Sequence, residues 1–164
     1  MEYMSFVIVF LIVIASLFAL AFFTKRRFGV LGLALAAGAM LANIWAADVT
    51  PFIASAGFVL VKPPLLSVVT AAITIVPAVL LLFSGPTYKA MPQRIGGALA
   101  FAVLATALLL DPLQSALVIE GVGKSVYDYM VAHKTLFVTI GLVLAVLDVF
   151  FTRTPGHSKS PSKH

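Results

Sequence analysis

Residues 15–47 read ASLFALAFFTKRRFGVLGLALAAGAMLANIWAA, and within them two apolar runs meet at a basic hinge, Lys25-Arg26-Arg27. The first run extends from Met4 to Thr24 and the second from Phe28 to Ala47. About 20 apolar residues at roughly 1.5 Å rise cross a hydrocarbon core of roughly 30 Å, so each run predicts one membrane-spanning helix. The hinge is short and carries three cations, which marks it as a loop retained on the cytoplasmic side.

Extending the same reading along the chain gives five spans, at residues 4–24, 28–47, 65–83, 95–110 and 135–151. The expected fold is a single all-α membrane bundle over residues 1–153, followed by a disordered cytoplasmic tail over 154–164 rich in Ser, Lys, Pro and His. Alternating loops then place eight of the 11 basic residues on one side: Lys25, Arg26, Arg27, Lys89, Arg94, Arg153, Lys159 and Lys163. Lys62, Lys124 and Lys134 fall on the other. This predicts an outside N-terminus and a cytoplasmic C-terminus in a cell membrane. Glu2, Asp48, Asp111, Glu120 and Asp128 all fall on the exterior side.

Composition agrees with a polytopic membrane protein: 62% of residues are hydrophobic and only 10% charged, too few charges to cover a soluble surface. The net charge of +5 is spread over span ends rather than gathered in one patch, which argues against nucleic acid as a partner. With no cysteine, disulfides and thiol chemistry are excluded. The N-terminal run is too long for a cleaved signal peptide, starts acidic at Glu2 and lacks a small-residue cleavage site, so it reads as an anchor.

Between the spans lie two stretches read as interfacial, 52–61 and 112–133. Asp48-Val49-Thr50-Pro51 is expected to stop the second helix, and ten apolar residues from Phe52 to Val61 are too few to cross. Were they to cross, the charge ratio would fall to 5 against 6 and the segregation would vanish. Asp111-Pro112 reads as an N-cap with proline at the first helical position. Gly121-Val122-Gly123 is expected to break that short helix, and Ser125 with Asp128 to cap the next.

Packing signals are denser than chemical ones. Ala34, Gly38, Ala42 and Ala46 recur every four residues, and Gly32, Gly97 and Gly141 are further points where helix backbones approach closely, within the bundle or between copies. Pro77 should kink the third span, as a static bend or a gate, with Thr74 one turn earlier satisfying the freed carbonyl. Gly123-Lys124-Ser125 echoes a P-loop, but the required glycine is Val118 and no strand precedes it. His133 near Asp128 reads as an exterior pH-sensitive pair or a solvated helix face. No metal-ligand spacing, cofactor motif or nucleophile–base set is present. Asp148, alone among the acids in lying within a span, shares a face with Gly141 and Ala145. It should point into the bundle, either pairing with Arg94, Arg26 or Arg153 to fix packing or serving as a proton or cation relay.

The hinge Lys25-Arg26-Arg27-Phe28-Gly29, the small-residue helix Gly32 to Ala42, and the helix start Arg94-Ile95-Gly96-Gly97-Ala98-Leu99 together resemble the colicin V production protein family over residues 5–110. The family's acid in the first span is missing, Phe101 stands where a further glycine belongs, and the fifth span is additional. The resemblance implies a bacterial inner-membrane protein tied to envelope homeostasis or secretion, with no catalytic residues to carry over. The sequence therefore reads as a non-enzymatic structural, assembly or accessory membrane protein without cofactors. Its expected partners are the lipid bilayer and either further copies of itself or other membrane proteins. The alternative is a small oligomeric channel or proton/cation-coupled transporter using Asp148.

Overall fold

Four of the helices in the computed structural model are long and apolar enough to cross a membrane, and they pack as an all-α bundle. The structure describes residues 3–58, 60, 63–83, 86–88, 90–116 and 122–152. Within them the helices are α1 (Tyr3–Thr24), α2 (Phe28–Ser55), α3 (Leu65–Leu82), α4 (Met91–Ala116), α5 (Val122–Ala132) and α6 (Lys134–Thr152). The candidate spans are α2, α3, α4 and α6; the apolar stretch searched in α1, Leu11–Thr24, is shorter.

Helix α4 is the axis of the bundle. Its buried Ala98, Phe101, Ala102, Leu104 and Ala105 form the centre of the core, and α1, α2, α3 and α6 all pack against it. Phe101 fills the volume a glycine would leave open and is 2% exposed. Helix α1 lays Leu17 and Ala21 on this core while Leu11, Ile12 and Phe23 face outward. Helix α6 buries little beyond Gly141 and Ala145, leaving Val143, Leu147 and Phe150 exposed. In lipid such exposure is solvation rather than a liability, because hydrocarbon tails are as apolar as the side chains.

The small-residue stripe of α2 is buried along its length, at Ala34, Gly38, Ala42 and Ala46. Gly38 sits against the backbone of α3: a Cβ there would overlap the Thr74 carbonyl and stand 3.0 Å from Ile73 O. Proline at 77 removes the amide that would bond Ile73 O, so the α2 crossing falls on the carbonyl that Pro77 releases. Thr74 does not satisfy that carbonyl; its hydroxyl donates to Thr70 O at 2.8 Å, the ordinary back-bond of a buried threonine.

Three expected helix boundaries move. Pro51 does not stop α2, which continues to Ser55. A proline deletes one backbone bond, here the one to Ala47 O, and the exposed Pro51 leaves the neighbouring turns of α2 intact. The helix ends instead where Gly57 takes a φ of +92°, a left-handed turn that glycine enters without steric cost, and donates to Ala54 O at 3.0 Å. The stretch 52–61 is thus in part the end of a helix roughly 42 Å long, longer than a hydrocarbon core. Similarly, Asp111 is no N-cap: α4 passes through Pro112 to Ala116. The Pro112 ring is buried and Ser115 Oγ bonds Pro112 O at 2.9 Å, while the Asp111 carboxylate is occupied by Lys134 Nζ at 2.5 Å. Ser125 lies inside α5, which starts at Val122; one glycine in a first turn costs under about 1 kcal/mol and does not prevent the earlier start. Gly121, Glu120, Val118 and the tail from 154 lie outside the described residues.

The glycines define a paired prediction. Gly38→Leu should destabilise the α2–α3 crossing by about 1–3 kcal/mol through overpacking. Gly96→Ala meets nothing within 4 Å and should leave stability unchanged or slightly raised. Thermal unfolding of both variants in the same detergent checks this.

Candidate functional site at the basic end

The bundle has two chemically different ends. At one, Ser115 Oγ meets Ser67 Oγ at 2.5 Å, Tyr127 donates to Gln114 Oε1 at 2.7 Å, and Lys134 bonds Asp111. The last pair is largely exposed and contributes little to stability. His133 turns toward Tyr129, its ring tilted by 31° at a centroid distance of 4.4 Å, with Nδ1 2.9 Å from Tyr129 O.

The other end gathers the basic hinge, the α3–α4 connection, the start of α4 and the end of α6. Lys25 adopts a left-handed φ of 56°, which costs a non-glycine residue roughly 1–2 kcal/mol. The turn is held by a two-residue antiparallel bridge: Tyr88 N donates to Lys25 O at 2.8 Å and Arg27 N to Pro86 O at 3.2 Å. The side chains of this end then serve the helix termini. Arg26 Nε donates to Leu82 O at 2.8 Å, near the C-terminus of α3. Arg94 Nε donates to Phe22 O at 2.5 Å near the C-terminus of α1, with its guanidinium 3.9 Å from the Phe22 ring centroid. Both cations meet the negative end of a helix dipole.

The N-terminus of α2 receives the complementary treatment. Its N-cap, Arg27, supplies no side-chain cap. The Phe28 amide donates instead to the Tyr88 hydroxyl at 3.1 Å, and the Gly29 amide to Asp148 Oδ2 at 2.8 Å. Asp148 is therefore a helix cap delivered from another helix, a carboxylate on the positive end of the α2 dipole. Of the three arginines expected to pair with it, Arg94 reaches Phe22 O on α1, Arg26 reaches Leu82 O on α3, and Arg153 lies outside the described residues. The short approach depends on Gly29, where a Cβ would stand 2.6 Å from Ala145 O and 2.9 Å from Asp148 Oδ2. Gly32 against Ala145 and Gly141 against Leu104 continue the same close packing. Gly97 serves Tyr88, whose ring would lie 2.5 Å from a Cβ at that position.

Between these groups lies a cavity of about 410 Å³ lined by Arg27, Tyr88, Gln93, Gly96, Asp148 and, on its apolar wall, Phe151. Burial pushes the Tyr88 hydroxyl above its ordinary value of 10.0, and the Asp148 charge reinforces the rise, against the Phe28 amide and Arg27. Tyr88 was the residue sequence reasoning passed over; its only signal was a tyrosine facing a basic hinge across a short loop. No group of three or more His, Cys, Asp or Glu side chains converges among the described residues.

Fold and site together define an all-α bundle with the length and apolarity of a multi-pass membrane protein. No protein-family model, curated protein or solved structure matches the chain.

Two predictions follow from the cap and its tyrosine. Asp148→Leu should cost about 1–2 kcal/mol, the range for losing an N-cap, whereas Asp148→Asn keeps an acceptor and should cost less. Chemical or thermal unfolding compares them. Because its folded value is raised, neutral Tyr88 contributes stability that is complete below pH 10.0 and lost as pH rises through the folded value. Phenolate absorbance of wild type minus Tyr88→Phe should show a transition above 10.0 and vanish into the ordinary range once the protein is unfolded.

Proposed function

We propose that this chain is a non-enzymatic integral membrane protein with a structural, assembly or accessory role, its spans comprising α1 together with α2, α3, α4 and α6. The observation that carries the reading is how its polar groups are spent. Arg26, Arg94, Asp148 and Tyr88 each serve a helix terminus. The buried polar residues within the spans, Thr74 and Thr106, each bond the carbonyl four residues back in their own helix. Among the described residues, no buried side-chain nitrogen or oxygen lacks a partner. A transport path requires polar groups that face a pathway at mid-depth; here the interior is Ala, Leu and Phe.

The colicin V production resemblance narrows the role to envelope homeostasis or secretion in a bacterial inner membrane, with the basic end in the cytoplasm. Lys25, Arg26, Arg27 and Arg94 at that end support the orientation. The competing reading, a channel or coupled transporter using Asp148, has in its favour only that Asp148 lines a cavity.

Proteoliposomes should show no proton or cation flux above empty vesicles, while mild-detergent purification from the native host should co-purify a reproducible membrane partner. Flux abolished by Asp148→Asn in a folded protein would decide for the transporter. Single cysteines at exposed Thr87 and Ser125 should label from opposite sides with an impermeant reagent, Ser125→Cys from outside.

A further inference from the structure

The surface of α2 that α6 covers at the basic end continues outward without a cover. Gly29 and Gly32 lie against Ala145 of α6, but one turn of α6 further out Gly141 rests on Leu104 of α4 instead. Along the same line of α2, at spacings of three and four, follow Ala36, Ala39, Asn43 and Ala47. Ala36 and Ala39 are half-buried, whereas Asn43 and Ala47 are exposed. The other small-residue line, Ala34 to Ala46, is buried, with Gly38 against α3, and is closed to a second molecule. Asn43 lies about 22 Å along α2 from Phe28, inside a hydrocarbon core of roughly 30 Å. The exposed Asp48 comes about 8 Å later. Thr50 returns its hydroxyl to Ala46 O at 2.6 Å, but the Asn43 carboxamide makes no hydrogen bond among the described residues.

A carboxamide carries two N–H donors and an acceptor oxygen, and hydrocarbon satisfies neither kind. A second Asn43 offers both. Every copy inserted in the same orientation holds Asn43 at the same depth, so a two-fold axis along the membrane normal brings the two amides face to face. Each then donates one N–H to the other's carbonyl oxygen. Ala39 and Ala47, one turn to either side, have no side chain beyond Cβ and let the two backbones approach. We propose that a second copy of this chain docks on the outer half of α2, as a parallel pair of α2 helices crossing at Asn43. Helices that meet through small residues cross at about −40°. The pair therefore diverges toward the basic end, where α6 occupies the same face, and the Asp148 cap is undisturbed. A lone amide pair on an apolar seam also fixes register, because a slip of one turn would set each carboxamide against methyl groups. The inference rests on the membrane placement proposed above and names the partner for this face of α2.

The test uses the full-length protein in dioleoyl phosphatidylcholine vesicles, carrying donor or acceptor dye on a single cysteine at exposed Thr87. Energy transfer is read as the protein is diluted in lipid. Wild type should follow a monomer–dimer curve, and Asn43→Leu should move its midpoint to about tenfold more protein per lipid, the scale of a pair of interhelical hydrogen bonds. Asn43→Gln keeps a self-complementary amide and should recover most of that shift. Ala47→Leu leaves Asn43 in place but blocks close approach, and should move the midpoint in the same direction as Asn43→Leu. The chain has no cysteine of its own, so Ala47→Cys alone should give a covalent dimer with a short bifunctional thiol reagent. Leu147→Cys, on the exposed face of α6, should not. A wild type monomeric at every dilution overturns the proposal, as do equal curves for wild type and an Asn43→Leu of unchanged helicity. Crosslinking at Leu147 but not at Ala47 overturns it too. In native membranes, an Ala47→Cys adduct to a different polypeptide gives the face to another partner and also overturns it. A chain that does not float with the vesicles overturns the membrane placement instead, so the two readings fail separately.

Discussion

The hydrogen bond from the Gly29 amide to the Asp148 carboxylate is the contact around which this bundle is organised. It joins the start of α2 to the end of α6 and satisfies a backbone donor that has no partner within its own helix. Near the low-dielectric edge of a membrane an unsatisfied amide is expensive, and an unpaired carboxylate more so. Each group offsets the other's cost. The packing below it is arranged to permit it: Gly29 and Gly32 give α6 room to approach at Ala145, and Gly141 gives Leu104 of α4 the same clearance.

The basic residues at the same end act on the opposite polarity. Arg26 and Arg94 close the C-terminal carbonyls of α3 and α1, so acids and bases are divided between helix N- and C-termini by the sign of the dipole they meet. The cations commonly read as topological markers are therefore also structural. Substituting them changes which carbonyls remain unbonded as well as which side of the membrane the loop prefers. The small-residue stripe of α2 acts separately, against α3, where Gly38 replaces side-chain contact with direct backbone approach.

Much of the architecture was legible because it follows from periodicity. Apolar runs separated by charged loops gave the all-α bundle, and a four-residue repeat identified the buried face containing Ala34, Gly38, Ala42 and Ala46. Spacing also put Asp148 on the face of Gly141 and Ala145. What spacing could not supply was the cap it makes on α2, because a backbone amide is carried by any residue type. Residue identity drew attention to arginines, and Arg94 was taken by Phe22 O instead. Pro51 and Pro112 misled for a related reason. Proline announces a missing donor, but one missing bond to the carbonyl four residues back does not end a helix whose neighbouring turns stay bonded, and α2 and α4 run on through Pro51 and Pro112.

The residues joined by the Asp148 cap are 119 positions apart in the chain, and that separation imposes an order in time. A ribosome delivers α2 long before α6, so for most of synthesis the Gly29 amide awaits a carboxylate that has not yet been made. Until α6 inserts, the groove of Gly29 and Gly32 stands open and the Gly29 amide lacks its cap, a lesion any chain truncated before Asp148 would keep. Helix α6 thus completes α2, and a capped Gly29 amide is a sign that translation has passed Asp148.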